Sequence, residues 1–309
     1  MARYLAHQLT QMVIAIFGIS VIVFVITHVI GDPTSVLLPL DTPLEQREEF
    51  RRQMGFDRPI LVQYADFLGQ AIRGDFGNSF RVEKSALSLV LERIPATLLL
   101  TASATVLAIL IAIPMGILSA YKRHSIIDNI ATVFVVAGQA MPIYWLGLML
   151  IILFGVQLKW LPPSGYGEFG IDRLKHLILP TLVLGVFLAP VTERLVRSGM
   201  LDALTQDYVR TARAKGLRER VVLTRHALRN AIIPVITVLG LQFGQLLGGA
   251  VITETVFAWP GIGQLTVDSI RNADFPVTQA AVITIAVMIS VVNTAIDVIV
   301  GIIDPRIRF

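Results

Sequence analysis

This chain of 309 residues contains no cysteine and little charge. Without cysteine it can form no disulfide, no thiolate metal site and no cysteine nucleophile. Charged residues make up 16% of the chain, whereas a soluble protein has about 25%. Hydrophobic residues make up 54% and fall in long blocks, which excludes a large soluble core as the main explanation. The composition therefore indicates an integral membrane protein.

Motifs for catalysis and nucleotide binding are also missing. The sequence has no Gly-Lys dipeptide, so it has no P-loop. It has no His-Glu-x-x-His, no Gly-x-Ser-x-Gly and no paired intramembrane carboxylates, which argues against a membrane-embedded enzyme. We expect no catalytic residue, no metal and no cofactor in this chain. If ATP drives the protein, a separate subunit must bind the ATP and magnesium and hydrolyse it.

Six stretches lack acidic and basic residues and approach the roughly 20 apolar residues that a membrane helix needs. They lie at residues 4–31, 94–121, 129–158, 176–192, 230–253 and 275–296. The fourth is short, and Pro180 and Pro190 interrupt it. The first has no A-x-A cleavage site and is too long for a signal peptide, so we expect it to be retained. The predicted fold class is all-α, with six transmembrane helices.

Lysine and arginine set the orientation of the spans. With the N-terminus inside, the cytoplasmic segments contain fourteen basic residues and the two short outer loops contain four. We therefore expect both termini to be cytoplasmic.

The long outer loop, residues 31–95, is predicted to form a helical cap. Thr42-Pro43-Leu44-Glu45 is a capping box with proline at the first helical position, and this helix should end near Gly55. A second amphipathic helix should run from about Pro59 to Arg73 and stop at Gly74. The helices either lie at the outer membrane interface or help an external partner to dock.

A second outer segment contains a rigid turn with two aromatic residues beside Pro-Gly. It either anchors Trp259 at the membrane interface or shapes the outer mouth of a passage. The residues concerned are Phe257, Trp259, Pro260 and Gly261.

The segment between the fourth and fifth spans is predicted to be a basic helix–glycine–helix. Thr205 is the predicted N-cap, and Gly216 supplies the left-handed residue that ends the first helix. The second helix should begin near Arg218 and run to Pro234. The segment is either an interfacial helix with positive-inside charge or a knob that a partner protein grips. Residues 210–220 lack the wide apolar face of an interfacial helix, which favours the knob.

The fifth span combines three stripes. Gly240, Gly244 and Gly248 have the small-x-x-x-small spacing that lets helices approach closely. Gln242 and Gln245 share another face, which either lines a transport pathway or hydrogen-bonds a neighbouring helix. Bulky apolar residues form the third stripe.

The sixth span carries two polar residues one helical turn apart. Asn293 is a further candidate for the pathway wall. We expect Asp297 to pair with a basic residue near the inner face.

The chain resembles the permease subunits of bacterial binding-protein-dependent ABC importers. The pattern E-A-A-x-x-x-G, followed by I/L-P about eighteen residues later, marks that family. Here it appears as Arg210-Thr211-Ala212-Arg213-Ala214-Lys215-Gly216 and Ile233-Pro234. Its first two letters differ from the general motif, but this form is typical of peptide-type permeases.

Further motifs extend the resemblance along the whole chain. They are Gly31-Asp32-Pro33, Gly74-Asp75-Phe76-Gly77-Asn78-Ser79, His226-Ala227-Leu228-Arg229-Asn230, the Phe-x-Trp-Pro-Gly-x-Gly turn and Asp304-Pro305-Arg306. The chain is similar to the B-type permeases of dipeptide, oligopeptide, glutathione or nickel importers.

The resemblance implies a particular assembly in the bacterial cytoplasmic (inner) membrane. A second homologous permease would pair with this chain in the lipid, two ATPase subunits or domains would bind below it, and an extracytoplasmic solute-binding protein would dock outside. No nucleic acid is expected. The glycine hairpin would be the coupling helix seated in an ATPase groove. Its residues would be Arg210, Thr211, Ala212, Arg213, Ala214, Lys215, Gly216 and Leu217.

The implied organisation has three parts: residues 1–30 form the N-terminus and first span, 31–95 the outer loop, and 96–309 the transmembrane core with the coupling loop at 200–233. Short peptides are the favoured substrate, with nickel or glutathione as alternatives. A different class, an ion-coupled secondary transporter, should show charges deep in several spans. This chain has almost none there.

Overall fold

A computed structural model describes residues 2–27, 38, 42–53 and 57–303. This part of the chain is nearly all helical, and its only β-pairing is an isolated bridge between Asn78 and Ser85. The sequence motifs at residues 31–33 and 304–306 lie outside the described residues.

The helices follow in chain order. The first four are α1 (Ala2–Val25), α2 (Leu44–Gln53), α3 (Ile60–Ile72) and α4 (Ala86–Tyr121). They are followed by α5 (Ile126–Ala140), α6 (Ile143–Leu150, extended by a π-helical segment Ile151–Gln157) and α7 (Ile171–Leu204). Next come α8 (Asp207–Ala214), α9 (Glu219–Val221, extended by a π-helical segment Val222–Ala227) and α10 (Leu228–Gly249). The last three are α11 (Val251–Val256), α12 (Ile262–Arg271) and α13 (Phe275–Ile303).

Five helical stretches in the described residues are long and apolar enough to cross a membrane. They are Gln8–Val25, Ala86–Tyr121, Ile171–Leu204, Glu219–Gly248 and Phe275–Gly301. The pair α5–α6 makes a sixth if its two halves count as one span. The structure thus has the five to six spans of an all-α membrane protein.

The third predicted span is a broken one. Helices α5 and α6 meet at 102°. Met141, at the end of α5, is extended with ψ of 126°, and Pro142 caps α6. Proline disfavours the helical conformation for the residue before it, which explains a break inside an uncharged stretch.

The fourth span is longer than its uncharged stretch. Helix α7 has 34 residues and contains both Pro180 and Pro190 in its interior. In a membrane helix, neighbouring helices and side chains can satisfy the backbone groups that proline frees. The prediction that these prolines interrupt the span was therefore wrong.

Pro234 also lies inside a helix. The predicted end of the second hairpin helix at Pro234 was wrong, because Glu219–Gly248 forms one continuous helical stretch of 30 residues. The second arm of the hairpin and the fifth span thus belong to one helical stretch.

The chain forms two compact units. The first comprises residues 1–96 and 261–290, and the second residues 97–260 and 291–309. Because α4 begins at Ala86, the predicted boundary at residue 95 falls inside a helix.

In the first unit, α1 packs against α3 of the outer loop. The Phe24 ring contacts the Tyr64 ring at 5.2 Å and the Phe67 ring at 5.6 Å. Ser20 shares a 2.8 Å hydrogen bond with the Tyr64 hydroxyl. Helix α3 starts after Pro59, and Gly74, with φ of +77°, follows its end. This side of α1 therefore contacts the outer-loop helix.

A second contact in this unit joins the end of the outer loop to the residue before α13. The Asp274 carboxylate accepts hydrogen bonds from the Ser79 hydroxyl and from the Phe80 backbone N–H at 3.2 Å. Ala86, Val90 and Ile262 lie in the apolar cluster beside it. The Gly-Asp-Phe-Gly-Asn-Ser motif ends at Ser79. Ser79 and the next residue, Phe80, are thus hydrogen-bonded to Asp274, the residue before α13.

The core of the second unit joins α7 to α10. Val196 and Met200 of α7 are fully buried with Ala227, Ala231 and Val235. A β-carbon at Gly199 would lie 3.1 Å from the Ala231 β-carbon, so the helices approach closely there. This core therefore holds α7 against the helical stretch that follows the hairpin.

Candidate coupling hairpin and pathway residues

The helix–glycine–helix predicted between the fourth and fifth spans is present. We define the coupling hairpin as α8, the turn at residues 215–218, and α9. It is joined to α7 through Thr205 and Gln206 and to α10 through the π-helical segment. Thr205 ends α7 and Gln206 caps α8, so the predicted N-cap is displaced by one residue.

The turn is built around Gly216. Its φ of +73° is a left-handed conformation that residues with a β-carbon rarely adopt. Its N–H donates to the Arg213 carbonyl at 2.9 Å, and the Leu217 N–H donates to the Ala212 carbonyl at 3.4 Å. A glycine at this position satisfies the free carbonyls of the helix end.

An ion pair links the two arms. The Arg213 guanidinium donates to the Glu219 carboxylate at 2.7 Å. This hydrogen bond raises the pKa of Arg213 further above its usual value, so the arginine stays charged. Both side chains are partly exposed, and such pairs contribute about 0–1 kcal/mol. The pair fixes geometry more than it adds stability.

The hairpin shares a small apolar core with the first residue of the π-helical segment. Val209, Ala212 and Val222 are buried together, with Leu204 packed against them. Ala212, a predicted contact residue, is 4% exposed, so its side chain points into the hairpin.

The outer surface of the hairpin consists of the other predicted residues. Arg210, Thr211, Arg213, Ala214, Lys215, Gly216 and Leu217 are all exposed. Tyr208 is also exposed, at 38%, and sequence reasoning missed it. An aromatic residue next to a basic motif was the available signal.

The glycine stripe of the fifth span lies against the end of α13. A β-carbon at Gly240 would lie 2.5 Å from Cγ1 of Ile296, and one at Gly244 would lie 2.9 Å from Oδ1 of Asn293. The helices approach closely at these two positions. Gly248 is half-buried.

The two glutamines have different environments. Gln242 is half-buried, and its Oε1 accepts a 3.4 Å hydrogen bond from the Thr192 hydroxyl of α7. Gln245 is exposed. Asn293 Oδ1 is buried beside Gly244 and has no hydrogen-bond partner among the described residues. Of these three side chains, Gln245 has the most open surroundings.

The aromatic turn before α12 is buried. Trp259 is 0% exposed, its ring contacts the Tyr166 ring at 4.7 Å, and its backbone N–H donates to the Glu254 carbonyl at 2.8 Å. The Phe257 carbonyl accepts from the Gly165 N–H at 2.8 Å. Trp259 is therefore not a lipid-interface anchor. Pro260 is half-buried, and Gly261 caps α12.

Sequence reasoning missed a partly buried ion pair. Asp128, at the start of α5, accepts hydrogen bonds from Arg197 of α7 at 2.9 and 3.0 Å. It also accepts one from the Ser119 hydroxyl at 2.5 Å. The three residues join α4, α5 and α7. Asp128 had served only to mark the end of an uncharged stretch, so its partner was not sought.

Two buried glutamates were missed in the same way. Glu254 is 0% exposed and accepts a 2.7 Å hydrogen bond from the Thr97 hydroxyl. Glu193 is 2% exposed, and its Oε1 has no hydrogen-bond partner among the described residues. In the search for uncharged stretches, each of these glutamates only marks the residue where a stretch ends. Within residues 2–27, 38, 42–53 and 57–303, no cluster of three or more acidic or histidine side chains could hold a metal.

Comparison with known proteins identifies the family. Residues 112–309 match the family described as binding-protein-dependent transport system inner membrane component. Residues 1–101 match the family that describes the N-terminal part of the same membrane component. The chain belongs to this family of inner-membrane transport components.

Individual relatives match over the full length. The oligopeptide transport system permease protein AppB of Bacillus subtilis (strain 168) is 42% identical over 100% of both chains. The glutathione transport system permease protein GsiC of Escherichia coli (strain K12) is 38% identical over 100% of both. A structure of the MetNI methionine ABC transporter in inward-facing conformations is similar in fold, with a TM-score of 0.58 and 19% identity. That match covers 70% of this chain and 96% of the other.

Proposed function

We propose that this chain is one permease subunit of an ATP-driven importer and forms half of the translocation pathway for short peptides. The chain itself is a transport subunit, and ATP hydrolysis belongs to separate ATPase subunits. The observation that carries the proposal is the coupling hairpin. Its glycine turn is continuous with a membrane-spanning helix, and the chain belongs to this family of transport components.

The hairpin is suited to transmit force. Its turn is fixed by backbone hydrogen bonds, and its arms are tied by Arg213 and Glu219. Its second arm continues without a break into the fifth span. Displacement of the exposed surface by an ATPase would therefore move the membrane helix as well. We propose that this movement switches the pathway between its inward-facing and outward-facing states.

The assembly that we propose has four kinds of partner. A second homologous permease completes the pathway, and two ATPase subunits or domains bind the hairpins. An extracytoplasmic solute-binding protein docks at the outer loop, and lipid surrounds the spans. The fourteen basic residues on the hairpin side support cytoplasmic N- and C-termini in a bacterial inner membrane.

Short peptides are the favoured substrate because the AppB relative is an oligopeptide permease. The GsiC relative favours glutathione, itself a small peptide, as the second candidate. Gln245 is the proposed pathway residue, and Phe257, Trp259, Pro260 and Gly261 the proposed outer mouth. Gly240, Gly244 and Gly248 are the proposed packing stripe.

Site-directed cross-linking tests the coupling role directly. Since the chain has no cysteine, each introduced cysteine is unique. In the assembled transporter, Ala214→Cys should cross-link to a cysteine in the ATPase groove because Ala214 is exposed. Ala212→Cys is the matched control and should not react, because Ala212 is 4% exposed. Labelling of Ala214→Cys by lipid-phase reagents alone would contradict the proposal.

Uptake assays test the substrate. Proteoliposomes containing the assembled transporter and its binding protein should accumulate labelled di- to oligopeptides when ATP is supplied. Excess unlabelled peptide should compete, and nickel should not. Selective uptake of glutathione would establish the second candidate instead.

A further inference from the structure

A cleft lies between the end of α4 and the second arm of the coupling hairpin. Its volume is about 400 Å³. Its floor and walls are mainly apolar, formed by Pro114, Ile117, Leu118 and Leu223. Tyr121, Lys122, Glu219, Arg220 and Thr224 complete the lining. A cleft of this composition suits a hydrocarbon chain.

The polar residues of the cleft have a net positive charge. Lys122 and Arg220 are exposed, and neither forms an ion pair with any residue in the described part of the chain. Glu219 is the acidic lining residue, and Arg213 pairs with it at 2.7 Å. The charges of Lys122 and Arg220 are therefore available to an anion beside the apolar cleft.

The cleft continues an exposed apolar stripe along α4. Val106, Leu110 and Leu118 are 55%, 65% and 45% exposed. They lie at intervals of four and eight residues and span about 120° of the helix surface, so they form one broad face. In a membrane-spanning helix, such a face is suited to lipid tails. The cleft is at the end of this face, where Tyr121 ends α4 and Lys122 follows.

We propose that the cleft binds an anionic phospholipid. One acyl chain lies along the exposed face of α4 and in the cleft, and the phosphate lies between Lys122 and Arg220. Basic pockets between membrane helices bind anionic headgroups, and each lysine or arginine near the surface strengthens such binding. The long stems of both cations can lie along apolar surface while their charges face the phosphate.

The position of the site gives it a consequence. Arg220 belongs to α9 and Lys122 follows α4, so the lipid phosphate bridges the hairpin arm and the end of a spanning helix. Bound lipid would therefore favour the arrangement in which these two elements are close together.

Native mass spectrometry of the assembled transporter tests the proposal. Nanodiscs of phosphatidylcholine with increasing phosphatidylglycerol supply the lipid, and the protein is then released with its retained lipids. Wild type should retain phosphatidylglycerol in preference to phosphatidylcholine. Lys122→Gln with Arg220→Gln should weaken the retention about twenty-five-fold, roughly fivefold for each cation.

Two control variants separate the site from general charge. Lys122→Arg with Arg220→Lys keeps both cations and should retain the lipid. Lys159→Gln with Lys175→Gln removes the same charge from exposed lysines that do not line the cleft, and should also retain it. Equal retention by wild type and the Lys122→Gln, Arg220→Gln variant would overturn the proposal.

A photo-cross-linking probe identifies the occupant. Thr224→Cys, modified with a benzophenone, places the probe at the edge of the cleft. Cross-links to phosphatidylglycerol are expected. Cross-links to an ATPase subunit, or to phosphatidylcholine with equal yield, would show a different occupant and overturn the proposal.

Discussion

Replacing Gly216 with proline tests whether the glycine turn transmits force. Gly216 has φ of +73°, whereas proline holds φ near −65°. Proline also removes the N–H that donates to the Arg213 carbonyl at 2.9 Å, a bond that contributes about 1 kcal/mol. In a helix interior proline costs about 3 kcal/mol or more, and at Gly216 it combines an incompatible φ with a lost N–H, so a cost of the same order is expected.

This magnitude is large for so small an element. The hairpin core consists of three buried side chains, so few contacts oppose its rearrangement. A change of about 3 kcal/mol lowers the population of the native turn more than a hundredfold. The spans have their own core, so the protein should still insert into the membrane. We therefore expect Gly216→Pro to abolish ATP-driven uptake while the protein still inserts into the membrane.

The assay compares ATP-driven peptide uptake in proteoliposomes with the amount of the variant that is inserted in the proteoliposome membrane. Gly216→Ala should have an intermediate effect, because a β-carbon in the left-handed region costs about 1–2 kcal/mol. Gly77→Ala is the matched control for Gly216→Ala, because it introduces the same backbone strain outside the hairpin. Gly77 has φ of +79°, and a β-carbon added at either glycine would have no neighbouring atom within 4 Å. Undiminished uptake by Gly216→Pro would refute the reasoning.

Three further predictions concern the spans. Gln245→Leu should reduce uptake several-fold while assembly is unchanged, because Gln245 is exposed. Asp128→Ala should lower the free energy of unfolding by about 3 kcal/mol, measured by thermal unfolding in detergent, because it leaves Arg197 unpaired. This is the lower end of the usual range because Arg197 is 30% exposed. Gly240→Ala should destabilise by about 1–3 kcal/mol in the same assay, because its new β-carbon would contact Ile296 at 2.5 Å.

Each of these predictions has a control. Gln242→Leu should reduce thermal stability slightly, because the Thr192 hydroxyl loses one of its two acceptors and keeps the Leu188 carbonyl at 3.2 Å. Asp202→Ala removes an exposed aspartate and should have little effect on stability. Gly18→Ala adds a β-carbon with no other atom within 4 Å and should be neutral or slightly stabilising. Loss of subunit association in Gln245→Leu, or unchanged unfolding of Asp128→Ala or Gly240→Ala, would contradict the corresponding prediction.

The membrane class and the hairpin could be predicted from the sequence because both depend on local chemistry. Long uncharged apolar stretches have one stable environment, and the bilayer imposes a helix on each. The turn at Gly216 needs a left-handed residue, and glycine after a short helix supplies it at a predictable place. Tertiary contacts had little influence on either result.

Only the tertiary structure decided the environment of each polar side chain. Helical periodicity placed Gln242 and Gln245 on one face, yet one bonds Thr192 and the other is exposed. Tryptophan is a residue type that often lies at the membrane interface, yet Trp259 is fully buried against Tyr166. These outcomes depend on partners far away in the chain, which a local pattern does not contain.

The tertiary structure also decided which prolines interrupt a helix and which charged residues form ion pairs. Proline interrupts the helix at Pro142 but not at Pro180 or Pro234, because surrounding helices determine whether freed backbone groups can be satisfied. Asp128 and Arg197 are 69 residues apart, and only folding brings them together. The sequence by itself determined that this chain lies in a membrane and presents a glycine hairpin. The packing of the helices decided which charges are paired and which surfaces stay open, because both depend on long-range contacts.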